Sequence, residues 1–154
     1  MKLIWCLVFI GLVGLSAFAQ EAEQKEVEET IQRFFEGFHK KDSILMGTTV
    51  SDAVIIQTIG KDKEGNTFLK NSTYKDLIKG LRSIPADKTV TEKILSVEVQ
   101  TDGMMAHAWT PYEFWFDGKF SHCGVNSFQL LKEQNEWKII YLVDTRYREG
   151  CENQ

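Results

Sequence analysis

The stretch from Met104 to Tyr147 constrains the fold more than any other part of the chain. It contains three runs of aromatic and β-branched residues separated by two short polar breaks. The first break is Asp117-Gly118, a pair that is among the strongest sequence signals for a β-hairpin. The second is the polar run at positions 133–136. The pattern predicts a three-stranded antiparallel meander, and we expect the strands of this meander to wall any pocket in the protein.

The residues before the meander predict helices first and strands later. A helix with an apolar stripe is indicated by the 3–4-residue spacing of Val27, Ile31, Phe34, Phe35 and Phe38. Further elements are predicted from capping residues and alternation: a short helix through Met46, a strand at 50–59, a helix at 74–82 and a long strand at 88–100. Early helices and late antiparallel strands are typical of an α+β fold with the helices on one sheet face.

The first 19 residues have the pattern of an export signal. Lys2 precedes an apolar run from Leu3 to Leu15, and Ala17-Phe18-Ala19 supplies small residues for cleavage before Gln20. A membrane anchor is the alternative, but the run is shorter than the ~20 residues that span a bilayer. We therefore predict a cleaved signal peptide (1–19), one domain (20–154), no stable membrane insertion, and a periplasmic or extracellular location.

The charge and the cysteine content limit the classes of binding partner and the redox chemistry to be expected of this chain. The formal net charge is −4 and the sequence has no basic run, which argues against binding to nucleic acid or to anionic membranes. Cys123 and Cys151 remain after signal cleavage, and an even pair in an exported protein suggests a disulfide. The pattern does not bring a mid-strand residue and a tail residue together, so the sequence leaves this pairing open.

The turns also predict which residues face each other. With Asp117-Gly118 at the hairpin tip, Glu113 faces His122 and Trp109 faces Asn126. A four-residue loop at 133–136 sets Asn126 beside Val143. A slip of one residue at either turn would exchange the two faces. Both faces carry large apolar groups, so we expect one to pack on the helices and the other to be covered by a second subunit, giving a homodimer through the sheet.

Two polar pairs are candidates for chemistry. A carboxylate at Glu113 beside the imidazole of His122 could raise the pKa of that imidazole and create a general acid or base near neutral pH. The alternative is a salt-bridged pair without chemistry. Asp144 and Arg146 share a strand face, where Arg146 either binds a ligand carboxylate or forms an ion pair with Asp144.

Other chemistry is not indicated. His107 and His122 are ~20 Å apart along the predicted strands and cannot share a metal ion. His122 points away from Cys123 in any strand, so it cannot activate that thiol. The sequence has no glycine-rich phosphate loop, nucleophile elbow or dinucleotide fingerprint. We expect neither a metal nor a cofactor.

Several segments resemble the nuclear transport factor 2-like superfamily, including the SnoaL-like domains and exported bacterial members without an assigned activity. They are Phe34–Phe38, Lys41-Asp42, Trp109–Phe114, Phe120–Phe128, Glu136–Ile139 and Asp144–Arg146. The resemblance covers nearly all of residues 23–147. It implies a cone-shaped α+β half-barrel, with N-terminal helices packed on a curved, mainly antiparallel sheet around a pocket, commonly as a dimer.

The resemblance does not select an activity. The superfamily holds ketosteroid isomerase, scytalone dehydratase and limonene epoxide hydrolase beside non-catalytic binding and interaction modules. The isomerase pattern needs a tyrosine on the first helix, which this chain lacks, and the dehydratase pattern cannot be mapped residue by residue. A shared fold alone does not license an activity.

Three functional hypotheses follow. The first is an exported domain that binds a small apolar or amphipathic ligand. The second is a cofactor-free lyase or isomerase using His122 oriented by Glu113, and the third is a dimeric interaction module without catalysis. The residues expected to bind the ligand are Trp109, Tyr112, Asn126, Tyr141, Asp144 and Arg146.

Overall fold

The computed structural model describes the backbone of residues 2–151 and the side chains of residues 20–151. In chain order its elements are α1 (Lys2–Lys40), α2 (Ser43–Gly47), β1 (Val50–Lys61), β2 (Thr67–Ser72), α3 (Tyr74–Arg82), β3 (Val90–Ile94), β4 (Glu98–Thr101), β5 (Met105–Phe116), β6 (Lys119–Glu133) and β7 (Glu136–Thr145). The predicted signal peptide lies outside the residues whose side chains are described. Within the described part, no helix combines the length and apolarity needed to cross a membrane.

The apolar stripe of α1 is buried, as its spacing predicts. The rings of Phe34 and Phe35 approach the ring of Phe128 on β6 edge-on, with centroids 6.2 and 6.0 Å apart. Edge-to-face pairs of this kind add to the stabilisation from burial alone. The stripe therefore fixes α1 against one sheet face, which we call the inner face.

The strands form one curved, open sheet within the described residues. Their order is β2-β1-β7-β6-β5-β3, and β4 also pairs with β5. Neighbouring strands are antiparallel except β1 and β7, which run parallel. This arrangement confirms the expected α+β half-barrel, with N-terminal helices on a curved, mainly antiparallel sheet.

The predicted continuous strand at 88–100 is wrong in one respect, because the chain leaves the ladder between β3 and β4. Both pieces pair with β5, and the break at residues 95–97 lies opposite Pro111. Proline has no N–H to donate to a neighbouring strand. A single link remains there, in which the Leu95 N–H donates to the Pro111 carbonyl at 2.9 Å.

The predicted register holds at each turn and fails beyond it. Phe116 faces Lys119 as expected, and Asp117 and Gly118 both have positive φ, as a tight two-residue hairpin requires. Ser121 is then an extra residue in β6, so the register shifts between Phe114 and Trp115. Such a bulge moves every later pairing by one residue. The expected Glu113–His122 pair therefore does not form.

A second bulge, at Ile140 in β7, has the same effect on the last hairpin. Lys132 faces Trp137 as expected, but Asn126 faces Asp144 rather than Val143. The two bulges together put the even-numbered residues of β5, of β6 beyond the bulge and of the end of β7 on the inner face. The polar ones among them are Thr110, Tyr112, His122, Asn126, Lys132 and Asp144, and Arg146 follows directly after β7.

Candidate functional site

A cavity of about 360 Å³ lies between the helices and the inner face of the sheet. One wall is apolar and comes from α1 and α3, with Phe34, Phe35, Phe38, Leu77 and Leu81. The opposite wall carries convergent polar side chains from five strands and the residue after β7. These side chains are Thr58, Glu92, Tyr112, His122, Asn126, Asp144 and Arg146.

Asp144 is the centre of a hydrogen-bond network in this polar wall. Its carboxylate is buried and accepts a hydrogen bond from the Thr58 hydroxyl at 2.6 Å. The Arg146 Nε–H donates to the same carboxylate at 2.6 Å. The Tyr112 hydroxyl donates to the Thr145 carbonyl at 2.9 Å and lies 3.3 Å from Asp144 Oδ2. Within residues 20–151 every buried side-chain nitrogen and oxygen has a partner, so this wall is ordered by its own bonds.

Gly124 makes this network possible. A Cβ at this position would lie 1.8 Å from the Thr145 carbonyl oxygen and 3.0 Å from Tyr112 Cε1. The glycine therefore allows β6, the chain end of β7 and the tyrosine ring to meet at van der Waals distance. The hydrogen bond from Tyr112 to Thr145 depends on that close approach.

Glu92 is the most chemically distinct residue of the cavity. It lies on β3 and accepts a hydrogen bond from Asn126 Nδ2 at 2.7 Å through Oε1. Its second oxygen Oε2 has no hydrogen-bond partner among the described residues and is not fully buried. Burial raises the pKa of Glu92 to about 7, against the opposing effect of the Asn126 hydrogen bond. Near neutral pH this carboxyl group can both accept and donate a proton.

His122 also lines the cavity, but in a form unsuited to the predicted chemistry. Its ring stacks on Phe114, with centroids 4.8 Å apart, and Nδ1 lies 3.1 Å from the Ser121 hydroxyl. Burial, followed by the positive charge of Arg146, lowers the pKa of His122 to about 4. The imidazole is therefore neutral at pH 7 and a weak base.

Glu113 lies on the outer face, away from the cavity. Its carboxylate accepts a hydrogen bond from Trp115 Nε1 at 3.1 Å and lies 3.7 Å from Lys93 Nζ. Neither the acid–base pair with His122 nor the salt-bridged alternative exists. The predicted pair is wrong because the bulge at Ser121 separates its members onto opposite faces.

The structure divides the residues that we predicted to bind a ligand. Tyr112, Asn126, Asp144 and Arg146 line the cavity together. Trp109 and Tyr141 lie on the outer face instead. The Trp109 side chain is 44% exposed, and the Tyr141 hydroxyl donates to Oε1 of Gln57.

Sequence reasoning missed Glu92 and Thr58 as site residues. The signal for Glu92 was present, since alternation along β3 places this acid on the same face as Val90 and Ile94. An acid on an otherwise apolar strand face is unusual enough to mark a candidate site. The prediction of one uninterrupted strand at 88–100 obscures this signal, because the chain leaves the ladder after Ile94.

The pairing of the two cysteines, which the sequence leaves open, is visible on the outer face. Cys123 and Cys151 form a disulfide, with their Cα atoms 5.9 Å apart. Cys123 also pairs through its backbone with Tyr147, so the segment after β7 is held on the sheet twice. Across residues 20–151, no cluster of three His, Cys, Asp or Glu side chains is placed to hold a metal ion.

Helices packed on a curved, open sheet are the arrangement of the nuclear transport factor 2-like (NTF2-like) fold, which this chain adopts. No family model and no curated protein matches the sequence, but solved structures do match the fold. An NTF2-like protein of unknown function from Shewanella baltica is 17% identical with a TM-score of 0.59, covering 83% of this chain and 96% of that one.

Two further structures carry names that refer to activity. A candidate dehydratase of the NTF2-like family from Streptomyces avermitilis is 12% identical, with a TM-score of 0.62, and covers 82% of this chain and 97% of that one. A candidate scytalone dehydratase from Novosphingobium aromaticivorans is 8% identical, with a TM-score of 0.63, covering 82% and 85% respectively. Identities this low establish the shared fold and not a shared reaction.

Proposed function

We propose that this chain binds a small, partly apolar molecule in the cavity between the helices and the inner sheet face. The observation that carries the proposal is the cavity itself, with a phenylalanine-rich wall opposite an ordered polar wall. Ligand sites typically combine a mostly apolar lining with a few fixed polar groups. The polar groups here are already positioned by their own hydrogen bonds, so a ligand would meet a preformed site.

A cavity-filling variant tests this proposal. Leu77→Trp on α3 places an indole at the lining, whereas Lys79→Trp places one on the exposed side of the same helix. Ligand-observed NMR with phenyl and alkyl alcohols, ketones, amides and carboxylates should detect binding to the wild type and to Lys79→Trp. Loss of binding is expected in Leu77→Trp. Equal binding by both tryptophan variants would place the ligand elsewhere.

A second candidate function is a cofactor-free lyase or isomerase, with the proton moved by Glu92 rather than by His122. The free Oε2 of Glu92 and the raised pKa of this carboxyl group favour it, since a general base works best near the operating pH. The test is exchange of the α-hydrogens of 4-phenylbutan-2-one in D₂O. Glu92→Gln should abolish any acceleration over buffer while leaving binding intact, and an unchanged rate would exclude this role.

The proposal includes a homodimer formed through the outer sheet face. Large apolar side chains are exposed there, including Met105, Trp109 and Phe120. Covering such residues is a common reason for association. Light scattering should report a dimer that Trp109→Glu dissociates. Ile44→Glu, at an even more exposed apolar residue on α2, should leave the dimer intact.

We also propose export, which the Cys123–Cys151 bond supports because disulfides persist in oxidising compartments. N-terminal sequencing of the protein purified from its native host should begin at Gln20. A chain that retains Met1 and is found in the cytoplasm would contradict this.

A further inference from the structure

A wider space adjoins the cavity, and we call it the mouth. This second space, of about 860 Å³, is formed by the β1–β2 hairpin, residues 121–122 and the segment after β7. Thr58, His122 and Arg146 line both spaces, so the cavity and the mouth adjoin at these three side chains. A ligand that passes these side chains would reach from the cavity into the mouth.

The mouth carries more positive than negative charge, although the whole chain is acidic, with a net charge of −4. Its cations are Lys61, Lys63, Arg146 and Arg148, and its carboxylates are Asp62 and Glu149. The Asp62 carboxylate accepts hydrogen bonds from the backbone N–H groups of Glu64 and Asn66 and is thereby committed to the hairpin turn. A local cationic patch on an acidic protein attracts anions.

The pKa of His122 indicates the sign of the electrostatic potential where the cavity meets its mouth. Burial is the main reason that its pKa falls to about 4, and the cations Arg146 and Arg148 lower the pKa further. The nearby Asp144 carboxylate acts in the opposite direction and does not reverse the result. The imidazole therefore lies in an environment that disfavours an added positive charge.

The Arg146 side chain is fixed by hydrogen bonds that leave one of its nitrogen donors unused. Its Nε and Nη2 groups donate to Asp144 and Thr58. Among the described residues, Nη1 has no hydrogen-bond acceptor. A guanidinium fixed on one side by a carboxylate is suited to binding an anion on the other.

Arg148 is placed by the disulfide. It lies between Tyr147, which pairs with Cys123 in the sheet, and Cys151, which is bonded to the same cysteine. The segment that carries Arg148 is thus closed into a short loop at the mouth. Its position does not depend on the side chain of Arg148 itself.

From this arrangement we infer that the site selects amphipathic anions: the apolar body of the ligand lies in the cavity, and its carboxylate head binds at the mouth to Arg146, Arg148 and Lys61. This inference rests on the proposed ligand-binding function. It adds the class of the ligand and its orientation, with the head group at the mouth and a neutral hydroxyl or carbonyl group next to Glu92.

Isothermal titration with three probes of one shape tests the inference: 4-phenylbutyrate, 4-phenylbutanamide and 4-phenylbutylamine. The carboxylate should bind the wild type about tenfold more tightly than the amide, because charge-assisted hydrogen bonds are stronger than neutral ones. The amine should bind most weakly. The double variant Lys61→Gln/Arg148→Gln should reduce the difference between carboxylate and amide, because Arg146 alone then remains at the head group. Lys25→Gln on the exposed side of α1 should preserve the full difference.

The outcomes separate this inference from the function on which it rests. Equal affinity of the wild type for carboxylate and amide, or a preference that is undiminished in the double variant, overturns the anion selectivity and leaves the binding function standing. Failure of all three probes, together with failure of the wider panel, removes both. Circular dichroism of the double variant establishes that its fold is intact, since both substituted residues are on the surface of the mouth.

Discussion

The two faces of the β5–β7 meander differ in what they contain: the inner face lines the cavity, and the outer face carries the disulfide. On the inner face, His122 and Asn126 meet Glu92 and Asp144 in a partly apolar cavity, where burial shifts the pKa of Glu92 and of His122. On the outer face, Cys123 is tied into a disulfide. Because side chains alternate along a strand, the cavity-lining His122 and the disulfide-bonded Cys123 are neighbours in sequence and lie on opposite faces of the sheet.

The inner face should tolerate added volume least. Gly124→Ala is expected to destabilise the protein by at least ~3 kcal/mol, because the new methyl group would meet the Thr145 carbonyl oxygen at 1.8 Å. Urea denaturation measures this. The control is Gly80→Ala in α3, where no atom lies within 4 Å and a helix gains about 0.5–1 kcal/mol from the change. Similar losses in both variants would show that the contact at Gly124 is not limiting.

The outer face should contribute stability mainly through its covalent link. Cys151→Ser opens a bridge between residues 28 apart, which is expected to cost about 3 kcal/mol through the greater freedom of the unfolded chain. Reductant should lower the stability of the wild type by the same amount and leave the variant unchanged. A reductant effect that persists in the variant would contradict this assignment. The variant should also weaken 4-phenylbutyrate binding more than amide binding, since Arg148 loses its tether.

Glu92 gives the inner face a pH dependence. Its pKa of about 7 in the folded state lies above the ordinary value of 4.5, so the folded protein holds this proton more tightly than the unfolded chain. The resulting stability is complete below about pH 4.5 and is lost as the pH rises through about 7. Glu92→Gln should therefore be more stable than the wild type by about 3 kcal/mol near pH 8 and equally stable near pH 4. Parallel stability profiles from pH-dependent denaturation would argue against a buried carboxyl group.

The smallest effect is expected at Glu113, the outer-face residue that sequence reasoning placed beside His122. Glu113→Gln breaks an exposed ion pair with Lys93, and such pairs contribute less than about 1 kcal/mol. Probe binding should be unchanged in titration calorimetry. A loss of binding as large as that caused by substituting a cavity residue would show that the outer face, too, takes part in binding.

The elements of this fold were largely predictable, because each has a local signal. The helix at residues 74–82 was expected from its cap, and the Thr73 hydroxyl does accept the Asp76 N–H in a capping box. The hairpin at Asp117-Gly118 followed from residues that adopt positive φ readily. Local chemistry of this kind acts within a few residues and is visible in one sequence.

The site was only partly predictable, since it depends on register carried over many residues. Ser121 and Ile140 each add one residue to a strand, and neither has a residue type that marks a bulge. Their shifts exchanged the faces of part of the meander relative to its neighbours. That is why Asn126 and Asp144 face each other in the cavity, whereas Glu113 and His122 lie on opposite faces. The contact between Glu92 and Asn126 joins strands 34 residues apart, and no local pattern predicts it.

The parallel pairing of β1 with β7 has a consequence for how the chain acquires this structure. Among the described strands, the β1–β2 hairpin joins the rest of the sheet only through β7, which is synthesised more than 70 residues after β1. Thr58, Asp144 and Arg146 therefore cannot assemble on a nascent chain until β7 has left the ribosome. Long-range closure of this kind slows folding. Under the proposed export, a translocation machinery that needs an unfolded substrate would find one for longer.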